Sequence, residues 1–136
     1  MRYNHLAVIV SAIAFFAFGA IWYTVFGEVW HTGVGKTAAE LSALGAAPYI
    51  MSLGLSVIMA YGIATALDLA RATTWQRGAN VAAFLALVLF GTITLLEYGY
   101  EGRPLAPTLI NIGYGIIGAA IIGAIEGAWR IKKVAA

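Results

Sequence analysis

The stretch PTLINIGYGIIGAAIIGAIEGAWR, residues 107–130, decides the fold. A proline opens it, an apolar run of helical length follows, and tryptophan and arginine close it. Asn111, Gly115, Ala119, Gly123 and Gly127 recur at every fourth position, so on a helix they form one row along one face. Small residues four apart let a second backbone come close, which is how helices associate in lipid. Upstream, Ser52, Ser56, Ala60, Ala64 and Asp68 repeat the pattern. Two such rows in segments this apolar predict an all-α integral membrane protein, a bundle of four transmembrane helices joined through small residues.

Working outward, the composition agrees. The chain has 136 residues, 62% of them hydrophobic and only 10% charged, where a soluble domain carries roughly a quarter charged. A single membrane domain over residues 1–136 accommodates this, and no polar stretch is long enough for a second one. The net charge is +2 and the basic residues are scattered over short connections, so there is no concentrated basic face for nucleic acid. Cysteine is absent, which excludes disulfides, thiolate metal sites and cysteine nucleophiles.

Residues 4–26, 48–69, 78–98 and 107–130 each approach the ~20 apolar residues needed to cross ~30 Å of hydrocarbon. The first run is leader-like in outline. It continues through Ile21, Trp22 and Tyr23 without a polar break, so it is expected to stay as the first span. Gly27 ends that run. In the longest connection, Thr37-Ala38-Ala39-Glu40 is a capping box, which predicts a short interfacial helix stopped by Gly45. The fragment Gly33-Val34-Gly35-Lys36-Thr37 fails as a phosphate loop, because position 30 is Trp where that motif needs Gly. No nucleotide and no other cofactor is expected.

Arg2, Arg71, Arg77, Arg130, Lys132 and Lys133 fall on the side of the two termini, against Lys36 and Arg103 on the other. The positive-inside rule then places both termini in the cytoplasm.

Ionisable residues within spans are candidate functional sites, because burying them is costly. Glu126 lies near the end of the last span with Arg130 four residues on, the favourable order for a helical pair. Asp68 has Arg71 one turn on. Together Asp68 and Glu126 form a candidate polar seam. On the opposite side Glu28 and His31 have Glu-x-x-His spacing, and Glu97 and Glu101 fall on the same side, a candidate polar or metal site. Asn111 heads its row, where a helix–helix hydrogen bond of ~0.6 kcal/mol is the expected role. Gly19, Trp22, Tyr23, Phe26 and Gly27 form an aromatic set suited to an apolar pocket or to anchoring at the headgroups.

Two stretches carry a family likeness. One is Gly19-Ala20-Ile21-Trp22-Tyr23 with Phe26-Gly27 and Trp30. The other is Arg103-Pro104-Leu105 leading to Leu109-Ile110-Asn111-Ile112-Gly113-Tyr114, Gly118 and Ala128-Trp129. The chain resembles the small four-span bacterial proteins of domain-of-unknown-function family 1761. The resemblance implies a four-helix membrane protein, brings no catalytic activity with it, and picks out Trp22, Tyr23, Gly27, Asn111, Gly113 and Tyr114.

Three functions follow as expectations. The first is a non-enzymatic homo-oligomer or subunit of a membrane assembly, with the lipid bilayer and other membrane chains as its partners. The second is a small transporter or channel with a path along Ser52, Ser56, Asp68, Asn111 and Glu126. The third is a membrane enzyme or metal-binding protein using Glu28, His31 and Glu97.

Overall fold

The computed structural model describes residues 3–130. Arg2, Lys132 and Lys133, three of the six basic residues assigned to the side of the termini, lie outside the described residues. Helix α1, His5–Val25, starts under Asn4, whose side chain accepts the Ala7 amide. The chain bends at Phe26 and resumes as α2, Gly27–Val34, which ends on Gly35 in the left-handed region at φ 66°. Gly27 is therefore the first residue of a further helix and not a plain break. Helix α3, Ala38–Ser42, carries both halves of the expected capping box, and Gly45 follows at φ 64°.

Helix α4 covers Ala47–Leu69, with Pro48 in the first turn where its missing N–H costs nothing. The third span is composite. Helix α5, Trp75–Leu85, runs into a π-helical turn, Ala86–Gly91, and continues as α6, Thr92–Glu101. Thr92 and Thr94 hydroxyls donate back to the Val88 and Phe90 carbonyls around this turn. Helix α7, Leu105–Ala128, is the last of the described helices.

Four of these segments are long and apolar enough to cross a membrane, with 21, 23, 27 and 24 residues. The chain is a multi-pass helical membrane protein.

Helix α7 is the hub. It touches every other span, with α1 on one flank and α5 on the other, while α4 rests mainly against α1. Burial reflects this: 33% of the apolar windows of α1 and α7 is buried, against 17% for α4 and the third span. The core joins Val8, Ala12 and Phe15 of α1 to Ala60, Ile63 and Leu67 of α4, Ala82 of α5, and Ala119 and Ile122 of α7. Alanine is common there because, with lipid outside, close fit and not water exclusion holds the helices together.

The tightest approach is between α5 and α7. A Cβ on Gly78 would run into the Gly123 carbonyl, and one on Gly123 would meet the Gly78 carbonyl and the Ala82 methyl group. A Cβ on Gly127 would strike the Thr74 carbonyl. The lower half of the α7 row thus receives backbone. Its upper half receives a ring, since Gly115 lies under Phe90.

Candidate functional site

At the α2 end of the bundle, seven aromatic rings gather where α1, α2 and α7 meet. The bend at Phe26 folds α2 back so that Trp30 reaches α7. The Trp30 indole N–H then donates to Asn111 Oδ1 at 3.1 Å. The Tyr23 hydroxyl donates to the same oxygen at 2.7 Å, and the Trp22 indole donates to the Ile110 carbonyl at 3.1 Å. Tyr114 lies between the helices, stacked on Phe15 with centroids 4.8 Å apart and on Phe18 at 5.8 Å, with Tyr23 edge-on at 5.2 Å. Phe26 adds a seventh ring against Trp22.

Glycines make the room: Gly19 lies against the Tyr114 ring, Gly113 against Trp22 and Gly118 against Phe15. Trp22, Tyr23, Asn111, Gly113 and Tyr114 are thereby brought together, with Gly27 at the start of α2 beside them. The rings pack on one another between the helices, so the cluster can act as a clasp. Asn111 spends both lone pairs of its oxygen on it.

A shallow open groove runs beside the clasp, lined by Tyr23, Glu28, His31 and Lys36 among others. Glu97 and Glu101 do not join Glu28 and His31. Both are taken by Arg103, at 3.0 and 2.7 Å. Gly102, in the left-handed region, turns the chain so that Arg103 comes back over the end of α6. Among the described residues no three histidine or acidic side chains could hold a metal ion together. The Glu101 carboxylate raises the Arg103 guanidinium above its ordinary range. In the capping box, the backbone amide and then the hydroxyl of Thr37 hold the Glu40 carboxyl below its usual range.

At the opposite end, the start of α1 and the end of α7 are joined directly: the Asn4 amide donates to the Trp129 carbonyl at 2.7 Å. Here the expected ion pairs are exchanged. Arg130 does not pair with Glu126; it binds Asp68 at 2.7 Å and the Ala72 carbonyl at 3.0 Å. Helix α7 ends at Ala128, so the i,i+4 relation between Glu126 and Arg130 no longer holds and the arginine turns toward the α4–α5 connection. Nor does Asp68 pair with Arg71, whose backbone has φ 51° in that tight connection.

Glu126 faces inward instead, 4% exposed, with Ser11 of α1 at 3.0 Å from Oε1. Its Oε2 is buried without a partner among the described residues. Around them the His5 ring meets the Tyr61 hydroxyl at 2.8 Å, and Tyr3 meets Thr65 at 3.0 Å.

Along the α4 row, Ser56 and Ala60 are buried, Ala64 and Asp68 half-buried and Ser52 exposed. Ser56 donates to the Ser52 carbonyl within its own helix. Sequence reasoning missed Ser11 and Gly78. The row Gly78, Ala82, Ala86 was a readable signal for the second, being small residues at the same four-residue spacing.

Comparison with known proteins bears on the whole chain. No curated protein and no solved structure matched it. A family model described as a protein of unknown function, DUF1761, matches residues 6–127, from the second residue of α1 to the penultimate residue of α7. The chain belongs to the DUF1761 family.

Proposed function

We propose that this chain is a non-enzymatic membrane subunit of the bacterial inner membrane. In this reading it is a homo-oligomer or part of a larger assembly, with both ends in the cytoplasm, and it associates through the outward face of α4. The observation that carries the reading is the pair Gly54 and Gly62. All the glycines of α7 meet a neighbouring side chain or backbone, whereas a Cβ at Gly54 or Gly62 would meet nothing within 4 Å. Both lie on the exposed face shared by Met51, Leu55, Ile58 and Leu69. A helix-interior glycine costs about 0.5–1 kcal/mol relative to alanine, and two of them on one outer face suit the close approach of another helix.

The double variant Gly54→Leu/Gly62→Leu tests this. It should keep its helical content and run at a smaller assembled size in nanodiscs. An unchanged size sinks the proposal.

The burial of Glu126 with one unpartnered oxygen favours a second reading, a small transporter whose path follows Ser52, Ser56, Asp68, Asn111 and Glu126. Flux lost in both Asp68→Asn and Glu126→Gln proteoliposomes would support it, and flux retained in both would end it.

A further inference from the structure

Ser11 has one hydroxyl proton and two acceptors within reach. Its Oγ lies 2.9 Å from the Val8 carbonyl, one turn back on α1, and 3.0 Å from Glu126 Oε1 on α7. A hydroxyl donates one hydrogen bond and accepts two. If the Ser11 proton points at Val8, the contact with Glu126 needs a second proton, and only the carboxyl can supply it. If the Ser11 proton points at Glu126, a carboxylate is left with a single donor on one oxygen and none on the other.

Burial decides between these arrangements. Ser11 is fully buried and Glu126 is 4% exposed, and Oε2 has no partner. A buried anion requires pairing and several donors, whereas a neutral polar group is far cheaper to leave partly unsatisfied.

Among the described residues no charged group is bonded to Glu126. Just beyond the end of α7, Arg130 is bound to Asp68 and to the Ala72 carbonyl. On α4, Asp68 is engaged by that arginine and Tyr61 by His5, the titratable residue that α1 brings to this end. From α5, the residues against this part of α7 are Gly78 and Ala82, neither ionisable, and Arg77 is exposed.

We infer that Glu126 and Ser11 form a proton-binding site inside the bundle. Glu126 is held there as a carboxylic acid that donates to Ser11 Oγ, while Ser11 donates to the Val8 carbonyl. Every proton of the chain Glu126, Ser11, Val8 then has an acceptor, and the bare Oε2 is a neutral carbonyl oxygen. When the proton leaves to water, giving hydronium and a carboxylate, the Ser11 hydroxyl rotates from Val8 toward Glu126. Val8 keeps the backbone bond of its helix, so the switch breaks no secondary structure. This stands independently of the α4 partner face.

Infrared spectroscopy of the full chain in lipid at pH 7 tests it. The other five acidic side chains, Glu28, Glu40, Asp68, Glu97 and Glu101, are exposed or ion-paired. The wild type should therefore show one carboxylic-acid carbonyl band above the amide I region. That band should be absent in Glu126→Gln and should move to higher frequency in Ser11→Ala, which removes its hydrogen-bond acceptor. A fully helical wild type without the band overturns the inference, and so does a band that survives in Glu126→Gln. A band unmoved by Ser11→Ala overturns the role of Ser11. The wild-type and Ser11→Ala spectra decide the matter even if Glu126→Gln fails to fold.

Discussion

Asn111 holds two donors from two different helices on one oxygen, so its loss should be felt twice. Asn111→Leu leaves the Tyr23 hydroxyl and the Trp30 indole without an acceptor, and we expect a loss of about 1–3 kcal/mol. Tyr23→Phe, which removes one donor together with its bond, should cost less, nearer the ~0.6 kcal/mol average of bonds in membrane bundles. Unfolding titrations in mixed micelles would measure both. Glu40 makes a pH prediction. Its folded carboxyl is held below the ordinary range, so the capping box stabilises α3 above the usual Glu value of about 4.3. That support is lost as pH falls through the depressed folded value, so the protection of the Glu40 amide, its exchange measured against an unstructured peptide at the same pH, should fall on acidification and not on raising the pH. At this scale the sequence was half legible. A bonding role for Asn111 could be read from its place in the row. Its donors could not, because Trp30 arrives only through the bend at Phe26. The Glu126–Arg130 spacing misled because the helix stops between them.

At the scale of elements, α5 and α7 are held by backbone touching backbone. Gly78→Ala puts a methyl group onto the Gly123 carbonyl and should separate the pair, a cost of about 1–3 kcal/mol or more, in the range of overpacked cores. Gly54→Ala is the matched control, since nothing lies near its added methyl group; its monomer should be unchanged or stabilised by about 0.5–1 kcal/mol. The same unfolding titration compares them, and equal losses would show that the close approach is not limiting. The small-residue row of α7 announced itself in the sequence because glycine at four-residue spacing is conspicuous among isoleucines. The π-helical turn did not. Residues 86–91 read ALVLFG, and a one-residue shift of phase leaves no trace where every position is apolar. Helix α2 was hidden for a similar reason, since an opening glycine reads as a stop.

For the whole molecule, the direct contacts from Asn4 to Trp129 and from Arg130 to Asp68 and Ala72 put Arg71, Arg77 and Arg130 at one end. Lys36 and Arg103 belong to the connections at the other. The proposed orientation, with both ends cytoplasmic, predicts that a cysteine at position 77 resists a membrane-impermeant thiol reagent in intact cells while one at position 36 reacts. The chain has no native cysteine, so each label is unambiguous, and the reverse pattern would invert the assigned orientation. The four-span architecture was legible from hydropathy and spacing alone. The pairing of its helices was not, because a row of small residues specifies a close neighbour without saying which.

The span that contacts all the others is also the last of the four to be made. Until residues 105–128 enter the lipid, α1 has neither the bed for its rings nor the carboxyl that meets Ser11, and α5 has no surface for Gly78. The nascent chain must therefore wait in the bilayer as loosely associated hairpins, and the bundle closes only once residues 105–128 have joined them. A chain released before residue 105 should then be cleared by membrane proteases far faster than one that carries all four spans.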